Sequence, residues 1–178
     1  MKLFIITGTC GAGKSTMKDY LVDMLNIDEY AVIDSDEVGL NWWDYAGTEK
    51  ESKYGEDTLK AALKIAGSRD LIFVSCLNPL DYFQKIDVPG EIESTFFIAL
   101  SPTNSVIEAR LKARPADRDF TTDEKISPHI EYNDWFRRNK SKFQLFIDNS
   151  DIPEEELLGV RNYSRTDALF ADSRIVRG

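Results

Sequence analysis

Leu3-Phe4-Ile5-Ile6-Thr7-Gly8-Thr9-Cys10-Gly11-Ala12-Gly13-Lys14-Ser15 joins an apolar run to a segment that satisfies G-x-x-x-x-G-K-[ST] at every specified position. The apolar run reads as a strand, and Thr16 to Leu25 behind the motif reads as a helix, which is the context this motif requires. Its glycines let the backbone fold closely around a polyphosphate, so that several N–H groups and the positive end of the following helix dipole face the oxygens. Lys14 supplies a mobile charge for the β- and γ-phosphates. Ser15 offers a hydroxyl to an accompanying Mg²⁺, an ion that prefers hard oxygen ligands. Gly8, Thr9, Cys10, Gly11, Ala12, Gly13, Lys14, Ser15 and Thr16 therefore form the expected nucleotide-binding segment.

Outward from this loop, apolar runs alternate with helical patterns. Tyr30-Ala31-Val32-Ile33 reads as a second strand, Leu71-Ile72-Phe73-Val74 as a third, Thr95 to Leu100 as a fourth and Phe143 to Ile147 as a fifth. Between them the spacing predicts helices over Glu56 to Ala66, Pro102 to Ala113, and roughly Asp123 or Pro128 to Ser141, with a short one from Asn78-Pro79 through Lys85. Residues 37–53 are aromatic and polar with poor periodicity, and the polar stretch 116–122 reads as an excursion. Five strands joined by helices imply right-handed crossovers and a parallel sheet covered on both faces. Residues 1–160 form one expected domain, with a lid at about 114–127. Residues 161–178 are left as an unplaced tail.

The bulk properties narrow the class. A formal net charge of −9 and a pI near 4.7 disfavour a nucleic-acid partner at long range, although Lys and Arg gather between Arg110 and Lys142. No apolar run reaches the roughly 20 residues that span a bilayer, so a cytoplasmic protein is expected. Cys10 and Cys76 fit a reducing compartment and have no zinc spacing.

In a doubly covered parallel sheet the ligand crevice lies beyond the carboxyl ends of the strands. Asp34 and Asp36 follow the second strand into that crevice. If the strand stays extended their side chains point to opposite faces, leaving one free to orient the metal's water and the other to take a proton from an acceptor hydroxyl. The alternative reading is a solvated turn in which Asp34 or Ser35 caps the next helix. Arg110, Arg114 and Arg118 recur at intervals of four, suited to neutralising charge that spreads over a phosphoryl group in transfer. Arg137 and Arg138 are a second, weaker pair. Trp42, Trp43 and Tyr45 serve equally as a stacking surface or as core. His129, the only histidine, has no partner visible in the sequence and reads as a surface or helix-lining residue.

With these residues in place, the chain resembles the small P-loop kinases of the nucleoside monophosphate, shikimate and gluconate kinase group over about residues 1–160. The resemblance implies a three-layer αβα fold with a five-stranded parallel sheet and a lid. It implies ATP as donor, Mg²⁺ as cofactor and a small acceptor such as a nucleoside, nucleotide or metabolite. It places Ser15 and Asp34 at the metal, Asp36 at the acceptor hydroxyl, Arg110 against adenine, and Arg114 and Arg118 on the phosphates, with Lys14, Asp36, Arg114 and Arg118 as the catalytic set. Ile147-Asp148-Asn149-Ser150 followed by Pro153-Glu154-Glu155 resembles the segment that lines adenine in several such kinases.

Two departures bear on this. Ser75-Cys76 ends the third strand where many P-loop enzymes carry an acidic metal-shell residue, and no Asp-Arg-Tyr/His acceptor signature follows it. The loose Asp36-Glu37-Val38-Gly39 pattern comes too early for a GTPase, and Asn139-Lys140-Ser141-Lys142 lacks the aspartate that reads guanine. A polynucleotide 5′-hydroxyl kinase and a non-catalytic nucleotide-binding regulator are the alternative functions. Membrane association is not expected, and the oligomeric state is open.

Overall fold

β1 (Lys2–Thr7) is buried from Leu3 onward on both of its faces, as a continuous apolar run requires of a strand inside a covered sheet. A computed structural model describes residues 1–82, 90–115, 117, 120 and 122–151. Four further strands, β2 (Tyr30–Asp34), β3 (Asp70–Ser75), β4 (Ser94–Leu100) and β5 (Leu145–Ile147), complete an all-parallel sheet in the order β2-β3-β1-β4-β5. β1 is central, with Thr7 in register with Ser75 of β3 and Ala99 of β4. The chain leaves β1 toward one side of the sheet and later returns to its other side. The crevice at the C-terminal end of β1 is therefore the topological switch point.

Alternation along β1 builds two cores. Phe4 and Ile6 join Leu21 of α1 (Lys14–Met24), Ile107 and Leu111 of α4 (Asn104–Lys112) and Ile126 of α5 (Asp123–Arg138) on one face. Leu3 and Ile5 join Leu59, Ala62 and Ala66 of α2 (Tyr54–Ala66) on the other. Three layers result, α on β on α. Short α3 (Pro79–Tyr82) follows β3. A third cluster, Ala99, Phe136 and Phe143, packs the far end of α5. Since Ala99 alternates with Ile98 and Leu100, α5 begins over one face and ends over the other, crossing the C-terminal end of β4. At the crossing Asn133, fully buried, bonds Ser101 Oγ (2.8 Å) and the Pro102 carbonyl (2.7 Å).

Element boundaries differ from the sequence reading at several ends. α1 starts at Lys14 instead of Thr16, because Gly13 takes the left-handed turn that begins the helix. α5 runs unbroken through Pro128, which lies in its second turn, and stops at Arg138. β5 begins at Leu145 instead of Phe143. Gln144 occupies the intervening position and bonds Phe97 through both its N–H (3.0 Å) and its side-chain oxygen (2.7 Å). The unpatterned stretch after β2 contains three 3₁₀ turns, Ser35–Glu37, Trp42–Asp44 and Glu51–Lys53. Among the described residues no helix is long and apolar enough to cross a membrane.

Candidate functional site

The loop after β1 is shaped by how closely it approaches its neighbours. A Cβ on Gly8 would lie 2.4 Å from the Leu100 carbonyl oxygen at the end of β4, a collision that only glycine avoids. Gly13, at φ 92°, begins α1 with no side-chain cap, which leaves the first-turn N–H groups of that helix available to an anion. Side chains from distant elements then hold the loop. Asn149, 2% exposed, donates from Nδ2 to the Ala12 carbonyl (2.9 Å). Arg110 donates to the carbonyls of Gly11 and Asn149, both at 3.3 Å. Lys14 folds back so that Nζ donates to the carbonyls of Gly8 (2.9 Å) and Thr9 (3.1 Å). Ser15 is exposed and Thr16 half-buried beside it. The loop thus offers a phosphate an uncapped helix start with a lysine folded beside it.

A second group of side chains comes from α5 and the end of α4. His129 Nδ1 lies 3.3 Å from Thr9 Oγ1, and its ring packs edge-on against Phe120 with centroids 5.1 Å apart. Arg114 lies over the other partner of that ring, with Cζ 5.3 Å from the Phe120 centroid. Burial pushes the Cys10 thiol up, but a hydrogen bond with His129 and the positive charge of Lys14 and Arg114 outweigh it, and the thiol sits below its ordinary range.

On the β2 side, Asp34 caps the turn that follows it. Its carboxylate accepts from the Asp36 N–H (3.0 Å), and the Glu37 carboxylate accepts from the Asp34 N–H (3.1 Å), a reciprocal capping box. The extended arrangement expected for the pair is therefore replaced. Asp36 sits in a 3₁₀ turn, exposed, while Asp34 is half-buried. Burial raises the Asp34 carboxyl above its ordinary range, the Asp36 N–H opposes this, the Asp36 charge adds to it, and Lys14 opposes it. Lys14 is thus within electrostatic reach of Asp34. Glu37 pairs with Lys18 of α1, tying the turn to the helix behind the loop.

The aromatic cluster divides. Trp42 and Tyr45 each pack edge-on against Tyr54, at 5.1 and 5.0 Å, whereas Trp43 is 78% exposed. Tyr45 donates to Asp57 (3.0 Å). The Tyr54 hydroxyl is pushed up to about 12, by burial first and then by Asp36, Cys76, Tyr45 and Asp34.

Of the expected site residues, Gly8 to Thr16 follow β1, Asp34 and Asp36 stand at the end of β2, Arg110 bonds the loop at the Gly11 carbonyl, and Arg114 packs on Phe120. Arg118 and the segment Pro153-Glu154-Glu155 lie outside the described residues. Arg137 turns to the Ser101 carbonyl (2.8 Å) and to Asp148 (3.1 Å), and Arg138 is exposed. His129, expected to lie at the surface or to line a helix, is half-buried on α5, and its partner Thr9 could not be seen in the sequence. A signal for its burial was present, because Ile126, His129, Ile130 and Asn133 fall at helical spacing on the inward stripe of α5. Asn149 was noticed only as part of a segment; its bond to Ala12 depends on tertiary contact.

No protein-family model and no curated protein matches the chain. Solved structures do. Shikimate kinase from Acinetobacter baumannii in complex with shikimate superposes with a TM-score of 0.59 at 13% identity, over 99% of this chain and 94% of that one. Shikimate kinase from Bacteroides thetaiotaomicron gives 0.58 at 15% identity, over 96% and 98% of the two chains. Deoxyadenosine kinase from M. mycoides with bound dATP gives 0.50 at 18% identity, over 89% and 96%. At these identities the likeness speaks for the fold: the chain has the αβα architecture of the small P-loop kinases of the shikimate kinase-like group.

Proposed function

We propose that the protein is an ATP- and Mg²⁺-dependent kinase that moves a γ-phosphoryl group to a hydroxyl or phosphate of a small acceptor. The observation that carries this reading is the Asp34–Asp36 turn, presented by β2 within electrostatic reach of the loop lysine. A phosphate-binding loop alone serves many nucleotide-binding proteins, whereas an acidic turn beside its lysine suits transfer to an acceptor. The Mg²⁺ that accompanies the nucleotide would be held by Ser15 and approached by Asp34, and it supplies charge neutralisation on the phosphates.

The residues present divide the remaining work. Lys14 exchanges its bonds to the Gly8 and Thr9 carbonyls for phosphate oxygens. Arg114 adds positive charge on the opposite side, and Arg110 joins the loop to the Asn149 segment where the base would sit. Asp36, exposed at the edge of the crevice, accepts the proton of the acceptor hydroxyl. Asp36 and Asp34 are among the groups that raise the Tyr54 hydroxyl, so two carboxylates lie on the acceptor side in this reading.

A panel of nucleosides, nucleoside monophosphates and sugar acids, followed by ADP release with Lys14→Ala as the control, tests the proposal. Turnover with at least one acceptor is expected. ATP binding without turnover across the panel would instead support a nucleotide-binding regulator, and salt-sensitive oligonucleotide phosphorylation a polynucleotide 5′-kinase.

A further inference from the structure

We infer that His129 is a positioning residue that fixes the phosphate-binding loop and Arg114 in one arrangement, acting through Thr9 on one side and Phe120 on the other. The inference rests on the kinase reading above and adds a residue that the loop motif does not contain. Three contacts define it. His129 Nδ1 is 3.3 Å from Thr9 Oγ1, the His129 and Phe120 rings meet at 67° with centroids 5.1 Å apart, and the Arg114 guanidinium is 5.3 Å from the same Phe120 ring.

The imidazole is itself well anchored. Ile126, one turn earlier on α5, is 3% exposed in the core beneath the loop, and Phe120 and Ile130 pack against that same core. Asn133, one turn later, is locked to Ser101 and Pro102. A ring on so constrained a helix transmits its position to whatever it touches. Thr9, 1% exposed, and Cys10, whose thiol His129 helps to hold below its ordinary range, lie between Gly8 and Gly11 in the loop. Their carbonyl and N–H directions decide how the loop meets a phosphate. The Arg114–Phe120 contact sets the guanidinium on the other side of the phosphate path, stacked by a cation–π attraction that a shifted ring would lose. Loop geometry and arginine placement thus share one support.

The experiment combines binding, kinetics and thiol chemistry on the full chain. MgADP affinity is measured by calorimetry for the parent, His129→Ala, His129→Asn and Phe120→Leu, and MgATP KM and kcat are measured for those that turn over. His129→Ala should weaken MgADP about tenfold. His129→Asn, whose amide can reach Thr9 but offers no ring to Phe120, should recover part of that loss. Phe120→Leu and Arg114→Ala should each lower kcat more than they raise KM, and combining either with His129→Ala should cost less than the product of the two single effects. Iodoacetamide labelling, with peptide mapping to separate Cys10 from Cys76, reports the contact directly: labelling of Cys10 near neutral pH should slow several-fold in His129→Ala, roughly as expected when a thiolate loses its partner. Unchanged MgADP affinity together with unchanged Cys10 labelling would overturn the inference. So would an equal loss in His129→Asn and His129→Ala with additive double variants, which would mark a merely structural role. If the parent itself binds no nucleotide, the kinase reading fails instead, and the labelling result still decides whether His129 holds the loop.

Discussion

Residues 8–15 follow β1 and residues 35–53 follow β2, at the same end of one parallel sheet, yet they are held in opposite ways. The first segment is fixed from outside: β4 crowds Gly8, Asn149 and Arg110 bond its carbonyls, and His129 meets Thr9. The second is fixed mainly from within, by Asp34 capping its first turn, Asn41 accepting from the Trp43 N–H and Glu51 accepting from the Gly47 N–H. Its rings reach the body chiefly through Tyr54. A donor phosphate chain is the same in every turnover, so a loop clamped by the whole fold suits it. An acceptor pocket must differ between enzymes of one fold, and a segment that depends on local capping can change without disturbing the sheet.

The contrast can be broken by substitution at its two poles. Lys14→Ala should remove both nucleotide affinity and turnover, with turnover falling by about 10³-fold or more. Asp36→Asn should separate the two sides, lowering transfer by about 10²-fold while leaving ATP affinity within about twofold. Equal loss of binding and transfer in Asp36→Asn would mean that the acidic turn belongs to the donor side. Gly8→Ala probes the clamp itself: forcing a Cβ onto the Leu100 carbonyl should cost about 2 kcal/mol in denaturant unfolding.

Acidity should act through β2. Because Asp34 is raised, its ionised form is lost at a higher pH than for an ordinary carboxyl of about 3.9. MgATP turnover should therefore decline on the acid side before exposed carboxylates titrate, in a pH profile of kcat/KM. The stability term has the reverse sign. A carboxyl raised on folding takes up its proton more readily in the native state, so this group makes the fold relatively more stable as pH falls between its unfolded and folded values. The smallest effect belongs to Trp43→Ala, which should change stability by less than about 0.5 kcal/mol, since the ring is 78% exposed. A raised acceptor KM in that variant would sharpen the comparison by placing Trp43 on the acceptor.

The same division explains what could be read from the sequence. The strand–loop–helix unit and the alternation of buried strands with amphipathic helices are local patterns, and they determine the sheet almost unaided. Asp34 could be read both as a candidate site residue and as a cap, and the structure has it capping the turn after β2. His129 and Asn149 were harder, since their partners Thr9 and Ala12 lie 120 and 137 residues away and are met only after the crossovers are complete. The opposite-face geometry of Asp34 and Asp36 failed for a local reason: a strand that ends in a self-capping turn loses its two-residue period at once.

The dependence of residues 8–15 on Leu100, His129 and Asn149 also orders events during folding. The loop precedes its clamp in the chain, His129 and Asn149 lying 120 and 137 residues beyond their partners in the loop. Parallel pairing with β4 requires a long loop closure before any contact rewards it, which is intrinsically slow. On the proposed function, nucleotide affinity arises only once this clamp has closed on the loop, and a nucleotide that binds only molecules with the clamp closed draws the folding equilibrium toward them. The proposed phosphate donor would thus double as a ligand that selects molecules in which the distant clamp is in place.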